Sequence, residues 1–325
     1  MKGIEGYISL AENAVGSVVL PKCPAGLYEP IEYGLSNGGK RLRPALLLAA
    51  CDAVGGDCSA ALNQAVAVEM FHNFTLLHDD VMDNADMRRG KPTVCRKWDD
   101  NTAILSGDTM LTLATQKLIE GVAPEKAVRL LAIFNRAAVG VYEGQQYDME
   151  FESRKDVTVS EYINMIRLKT SVLLGCAAQL GAEMGDGGER QGNALYGFAM
   201  NLGIAFQLQD DWLDVYGNPA VFGKAIGGDI MNDKKTFMLI KAMELADGKE
   251  KESLDYWLGR QDAVPEEKIK AVTAIYDNLS IGDICRESIE EHNLEALRCL
   301  DESGLSADAV SFFKDFDAMV MNRKK

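Results

Sequence analysis

From Pro124 the segment PEKAVRLLAIFNRAAVGVYEGQQYDMEFES sets Val128, Leu131, Phe134, Ala138, Val141 and Tyr142 at three- and four-residue steps. That is the period of one helix face, and a first-turn proline suits it because its missing N–H would have no intrahelical partner. Segments 44–54, 62–84, 102–120, 193–215 and 236–246 carry the same period. In TVSEYINMIRLKTSVLLGCAAQLGAEMG, Thr158 and Glu161 have capping-box spacing, and the run beyond is apolar nearly all round, as a helix inside a large bundle must be. Strand-like alternation is convincing nowhere, which excludes a sheet-based fold. The expected architecture is all-α, a large helical bundle. Gly and Pro cluster at 21–26, 38–44, 185–192 and 217–228, which read as loops too short to link domains. Residues 1–325 are therefore expected to form one domain, with 247–325 as a more polar helical flank that carries no motif.

Charge narrows the partners. The chain has 34 basic and 49 acidic residues, −15 at pH 7, which argues against nucleic acid and against a surface held on anionic lipid. Seven scattered cysteines with no C-x-x-C pair suggest neither a disulfide framework nor a zinc site, and fit small buried hydrophobes in a reducing compartment. No apolar stretch approaches the length that spans a bilayer, so a soluble cytoplasmic protein is expected.

Two apolar helices carry a costly pattern. LLHDDVMDNADMRRG places Asp79, Asp80 and Asp83 within about one turn, and LGIAFQLQDDWLDVYG repeats the arrangement as Asp210, Asp211 and Asp214. Residues four apart share a helix face, so each motif aims two carboxylates one way. Such oxygen-only donors suit Mg²⁺, which takes one or two carboxylates and completes its shell with water and phosphate oxygens. Either motif alone is equally readable as the solvated face of an acidic helix. Two of them beside Leu76, Leu77, Trp212 and Leu213 are harder to read so, because unpaired charge is expensive in segments that favour burial. Facing each other across a bundle, they would hold metal around a diphosphate.

Basic groups flank both motifs. NGGKRLRP offers Lys40, Arg41 and Arg43 after two glycines, where backbone amides and side chains can grip an anion together. Arg88 and Arg89 follow the first motif, and Lys169 interrupts an otherwise apolar helix, where an ammonium must find an anion or lose its charge. Lys224 and Lys234 lie in the Gly-rich connection FGKAIGGDIMNDKKT, placed to cover a bound phosphate or to serve as ordinary loop lysines.

Taken in order and spacing, GGKRLRP, HDDVMD, RRG, LKT, FQLQDDWLD and GGDIMNDKKT resemble the trans-type isoprenyl diphosphate synthases, or polyprenyl synthetases, over residues 39–236. The resemblance implies an all-α isoprenoid-synthase fold with a central catalytic cavity, a homodimer, and Mg²⁺, three ions with Mn²⁺ as a possible substitute. It implies condensation of isopentenyl diphosphate with an allylic diphosphate (dimethylallyl, geranyl or farnesyl), releasing diphosphate. By the same resemblance, Asp79, Asp83 and Asp210 would hold metal on the allylic diphosphate, with Asp80, Asp211 and Asp214 in support and Asp214 also a candidate ligand. Arg88, Lys169, Lys224 and Lys234 would contact that diphosphate. Lys40, Arg43, His72 and Arg89 would take isopentenyl diphosphate, and Thr170 and Gln207 would face the developing cation. His72 shares a helix face with Asp79 and Asp83, though a lone histidine is equally a packed core residue.

The resemblance also bears on product length. A bulky residue shortly before the first aspartates forms the floor of the chain tunnel, and here Phe74, Thr75 and Phe71 are the candidates. With no insertion between Asp80 and Asp83, the pattern is more like geranylgeranyl than bacterial farnesyl diphosphate synthases. Ideal helix geometry puts Thr75 and Phe71 nearer the carboxylate face than Phe74. Farnesyl diphosphate synthase is the first alternative, then a class I terpene cyclase, whose second metal motif differs from DDWLD. A metal-dependent phosphohydrolase built on His72, His78 and Asp79, and a non-catalytic partner subunit, are the remaining rivals.

Overall fold

The computed structural model describes residues 1–218, 226–260 and 262–322, and helix runs through nearly all of them. The first compact unit comprises residues 1–137, 173–196 and 303–312. Its helices include α1 (Ile4–Gly16), α2 (Ala25–Ser36), α3 (Leu42–Ala53), α4 (Leu62–Met82), α5 (Val94–Lys97) and α6 (Asp100–Ile119). Here α4 lies chiefly against α6, and α3 packs on both α1 and α4. Tyr7, Leu46, Leu47, Phe71 and Phe134 are fully buried there, and Phe71 and Phe134 meet edge to face at 5.2 Å. Because α4 is largely buried, its polar residues must bond inside the unit: Gln64 Nε2 donates to the Leu118 carbonyl at 2.9 Å, and Asn73 Nδ2 to the Glu69 carbonyl at 2.8 Å.

The second unit comprises residues 138–172, 197–302 and 313–325. Four further helices cross from the residues of one unit to those of the other in sequence: α7 (Pro124–Ser153), α9 (Val172–Met184), α10 (Glu189–Tyr216) and α16 (Ala307–Met321). The second unit also holds α8 (Val159–Ile166), α11 (Gly228–Met231), α12 (Phe237–Leu245), α13 (Gly248–Trp257), α14 (Pro265–Asn278) and α15 (Ile281–Asp301). Phe151, Tyr162, Leu208, Phe237, Met238 and Tyr276 share one apolar core in this unit. α12 packs against α8 and α15, and α14 against α11. The polar tail beyond residue 247 is helical as expected, and Leu254, Val272, Ile275, Tyr276, Ile281 and Cys285 from it belong to this core.

The helices with legible periods form where expected, and the capping box is complete: the Thr158 side chain accepts from the Glu161 N–H, while the Glu161 side chain accepts from the Thr158 N–H at 2.9 Å. Four features differ in detail. α1 and α2 lie outside the periodic segments, and α2 starts at Ala25, within the Gly/Pro cluster, directly after Pro24. Met87–Arg88 and Lys91–Pro92 form a two-stranded antiparallel ribbon, too short to show alternation, around Arg89 (φ 54°) and Gly90 (φ 76°). Positive φ at both central residues is what a two-residue hairpin turn requires. The run after Thr158 is not one helix, since Arg167–Ser171 form a π-helical turn. All seven cysteines are free, but Cys23 is exposed and Cys299 only half-buried. Among the described residues no helix is long and apolar enough to cross a membrane.

Asp317 on α16 is buried, and burial pushes its carboxyl up to about 6 although Asn293, with its amide nitrogen turned toward the acid, donates to both oxygens at 2.7 and 3.1 Å. A raised folded-state value penalises the ionised form, so this penalty is absent below the unfolded value near 3.8 and complete above about 6. Asp317→Asn is expected to match the parent in urea midpoint near pH 4 and to be more stable by about 1–2 kcal/mol above pH 7. An equal midpoint difference at both pH values would rule out burial of the charge as the cause.

Candidate active site

The two aspartate motifs are built alike. In the first, at the end of α4, Asp80 is buried, whereas Asp79 is half-buried and Asp83, the helix C-cap, is exposed. Asp80 Oδ1 accepts from Arg88 Nε at 2.8 Å and Nη2 at 2.7 Å. Burial raises the Asp80 carboxyl above its usual range, and Arg88 opposes that shift. The pair fixes the ribbon to the helix end, so Arg88 is positioned by the motif itself. In the second motif, on α10, Asp211 is the buried member, with Asp210 and Asp214 half-buried. Burial pushes Asp211 up to about 7, against the pull of the Tyr162 hydroxyl that donates to it and with the nearby Asp229 adding to the rise. Asp214 Oδ2 accepts from the Asp229 N–H at 3.0 Å. In each motif the second aspartate anchors the helix to its surroundings, while the first and fifth sit nearer the surface.

The loop before α3 is shaped for crowded cations. Gly38 (φ 74°), Gly39 (φ 139°) and Arg41 (φ 48°) all have positive φ, and a Cβ at Gly39 would lie 2.8 Å from Arg89 Nη1. The missing side chain leaves room for the Arg89 guanidinium, which donates to the Gly38 carbonyl. Arg41 does not join the anion-gripping group suggested by NGGKRLRP. It is buried, with Nε 2.5 Å from Glu12 Oε2, Nη1 2.5 Å from Glu69 Oε1, and Nη2 donating to the Leu35 carbonyl at 2.7 Å. Its neighbours Lys40 and Arg43 stand either side of that anchor.

Arg43 Nη1 is 3.4 Å from His72 Nε2. A guanidinium only donates, so this nitrogen is the acceptor and the imidazole is neutral. Burial and then Arg43, Arg89 and Arg88 hold His72 well below the usual histidine range. Burial also lowers Arg43 and Arg89, with Glu69 opposing in both cases. Arg43 Nε is buried without a hydrogen-bond partner. Several cations held close around one acid, with a buried donor unmatched, form a site suited to an anion of more than one charge.

In the second unit the π-helical turn presents Lys169 and Thr170. Two glycines permit it: a Cβ at Gly144 would fall 2.3 Å from the Lys169 backbone nitrogen, and one at Gly203 would fall 2.8 Å from Ser171 Cα. The anion that Lys169 requires within the chain is Asp148, 2.5 Å away. Thr170 Oγ1 donates to Gln207 Oε1 at 3.2 Å, and Gln207 Nε2 reaches Asp211 Oδ1 at 3.4 Å, so Gln207 has a fixed orientation. Lys234 is exposed with Nζ 3.9 Å from Asp229 Oδ1. Lys224 lies outside the described residues. Glu69, Asp148 and Tyr162 escape a reading by motif, and Asp229, although inside GGDIMNDKKT, is given no role by it. Only the partner of each marks it out.

Phe74 is buried, its ring 5.5 Å from Phe71 and 4.8 Å from His78. Thr75 Oγ1 turns back to the His72 carbonyl at 2.8 Å. His78 Nε2 contacts the Ile104 carbonyl at 3.0 Å, and among the described residues no three His, Cys, Asp or Glu side chains form a ready-made metal group. The motif carboxylates are of the donor type that suits a hard cation completed by phosphate and water oxygens.

Residues 24–276 match the family model described as polyprenyl synthetase. The chain is 35% identical over 313 residues to a short chain isoprenyl diphosphate synthase of Methanothermobacter thermautotrophicus, covering 95% of each chain. It is 41% identical over 243 residues to a geranylgeranyl diphosphate synthase of Methanosarcina mazei, covering 74% of this chain and 75% of the relative. A crystal structure of geranylgeranyl pyrophosphate synthase superposes with a TM-score of 0.95 at 42% identity over the whole of both chains.

Replacing Arg41 leaves Glu69 buried without its ion-pair partner. Arg41→Met is therefore expected to lower stability by about 3–5 kcal/mol in urea denaturation. A midpoint within error of the parent would show that the Glu12–Arg41–Glu69 group does not hold this loop.

Proposed function

The chain belongs to the polyprenyl synthetase family and is a prenyltransferase, and on that premise we propose that it joins isopentenyl diphosphate head to tail to an allylic diphosphate and stops at geranylgeranyl diphosphate. The observation that carries this reading is the repeated construction of the two motifs: a buried second aspartate locked in place, with two less buried carboxylates beside it. Family membership supports both clusters acting on one substrate within a single domain, residues 1–325.

Asp79 and Asp83, with Asp210 and Asp214, would hold the divalent metal that the family uses, as three Mg²⁺ ions. When bound, the metal supplies Lewis-acid stabilisation of charge on the departing diphosphate. Arg88, Lys169, Lys224 and Lys234 would add positive charge around the same group. As the allylic carbon–oxygen bond breaks, its electron pair leaves with the diphosphate. Gln207 Oε1 and Thr170 Oγ1 offer negative dipole ends to the allylic cation. Lys40, Arg43, Arg89 and neutral His72 hold the second diphosphate through hydrogen bonds, without metal. The isopentenyl double bond forms the new carbon–carbon bond, and the proton then lost passes to the released diphosphate. Apolar residues on the helices that bear both motifs exclude water that would otherwise capture the cation.

Phe74 is proposed as the floor of the chain tunnel, backed by Phe71. Exposed apolar residues Ile104 and Leu105 on α6, and Val128 and Val139 on α7, support a homodimer, to be checked by molar mass in solution.

The decisive assay supplies Mg²⁺, isopentenyl diphosphate and each allylic diphosphate in turn, and measures the carbon number of the alcohols after dephosphorylation. Geranylgeraniol is expected, with no hydrocarbon when isopentenyl diphosphate is omitted. Hydrocarbon from allylic diphosphate alone would instead indicate a cyclase. In the same assay Phe74→Ala should shift the product to longer chains, and an unchanged distribution would remove Phe74 from that role.

A further inference from the structure

The only buried lysine among the described residues is not in any motif. Lys268 lies on α14, with 1% of its surface exposed. Its Nζ is 2.8 Å from Asp233 Oδ1 and 3.3 Å from the Met231 carbonyl. The other Asp233 oxygen accepts from the Gly259 N–H at 2.8 Å. Asp233 has φ 50°, and Lys234 is the next residue. The neighbouring Ile269 packs on Gly227 at the start of the same loop, where a Cβ would lie 2.7 Å from its side chain.

The loop that carries Lys234 is thus held at both ends. At its start, the Gly227 N–H donates to the Asp214 carbonyl at 2.7 Å and the Asp229 N–H to the Asp214 carboxylate at 3.0 Å. At its end, Lys268 and Gly259 grip Asp233. Just past the second anchor the Lys234 N–H donates to the Asp229 carbonyl at 3.0 Å. Lys268 therefore acts on the same loop as the second aspartate motif, from the opposite end.

A buried ion pair brings little net stability over a well-packed apolar replacement, because desolvation offsets most of the attraction. What it does supply is one geometry. A left-handed aspartate costs backbone energy that its surroundings must overcome, and Lys268 and the Gly259 N–H are the groups that hold it here. We propose that Lys268 is a positioning residue for the reaction: by fixing Asp233 it sets the direction in which Lys234 meets the allylic diphosphate. The proposal rests on the reading of Lys234 as a diphosphate contact.

The test is a double-mutant cycle on the full-length protein, using Lys234→Ala, Lys268→Met and the double variant. Steady-state KM for each substrate is read alongside affinity for inorganic pyrophosphate with Mg²⁺ by calorimetry. Lys268→Met is expected to raise KM for the allylic diphosphate and weaken pyrophosphate binding by about tenfold, leaving KM for isopentenyl diphosphate unchanged. In the Lys234→Ala background it should add nothing further. Asp233→Asn, which keeps the shape of the turn, should show the same substrate selectivity to a smaller degree and covers the case in which Lys268→Met does not fold. Lys268→Arg should restore part of the affinity. If Lys234→Ala weakens pyrophosphate but Lys268→Met and Asp233→Asn change only thermal stability, Lys268 is merely structural and the proposal fails. If Lys234→Ala itself changes nothing, the assignment of Lys234 falls, and the role of Lys268 falls with it.

Discussion

An ionised side chain in an apolar helical interior must meet a counter-charge or a strong donor within hydrogen-bond distance, because the desolvation cost is otherwise several kcal/mol. Asp80 meets Arg88, Asp211 meets Tyr162, Arg41 meets Glu12 and Glu69, Lys169 meets Asp148, and Lys268 meets Asp233. Each pairing joins two different segments, from 8 positions apart for Asp80 and Arg88 to 49 for Asp211 and Tyr162, so satisfying the charge also fixes a piece of backbone. Several residues proposed to act on substrate are neighbours of these anchors: Asp79 and Asp83 flank Asp80, Asp210 and Asp214 flank Asp211, and Lys40 and Arg43 flank Arg41. Arg88 and Lys169 are members of such pairs themselves. Position in or beside an anchor gives a side chain a defined direction.

The overall charge of −15 is a poor match for a substrate carrying diphosphate. Distance resolves the conflict. In physiological salt, exposed charges separated by more than about 8 Å are largely screened from each other, whereas partly buried groups are not. The acidic exterior therefore has little say over an anion once it is among Arg43, Arg89 and His72, where burial already lowers the basicity of all three groups. For the two arginines, depressed basicity signals cations that resist desolvation and are repelled by their basic neighbours. An entering diphosphate would relieve both penalties, while Glu69 tempers the repulsion.

The helices were readable because period 3.6 survives in any apolar stripe, as the match of 62–84 with Leu62–Met82 and of 193–215 with Glu189–Tyr216 shows. The aspartates were readable because a repeated pattern of charge within apolar segments has no cheap structural explanation. Arg41 was not, since a run of three basic residues does not say which one turns inward. That choice depends on Glu12 and Glu69, 29 and 28 positions away. The π-helical turn was hidden for a similar reason. Its signal lies in Gly144 and Gly203, which permit close approach, and neither glycine is local to Lys169. Lys268 sits in a segment whose composition resembles any solvated helix, and only its burial distinguishes it.

Three of the six non-glycine residues with positive φ among the described residues lie at the proposed site. Arg41, Arg89 and Asp233, with φ of 48°, 54° and 50°, each hold a left-handed conformation that costs a side-chain-bearing residue on the order of 1 kcal/mol. Each is restrained by a different device: Arg41 by two carboxylates, Arg89 by the Gly38 carbonyl, and Asp233 by Lys268 and Gly259. In each case a proposed substrate-contacting cation is the strained residue or lies directly beside it, namely Lys40, Arg89 and Lys234. A left-handed residue reverses the chain within a single step, which lets a loop turn a cation away from the core immediately after the chain has been anchored in it. Glycine would adopt these angles more cheaply. It would also forfeit the side chain that makes the anchor, so the strain and the buried contact are two consequences of the same residue.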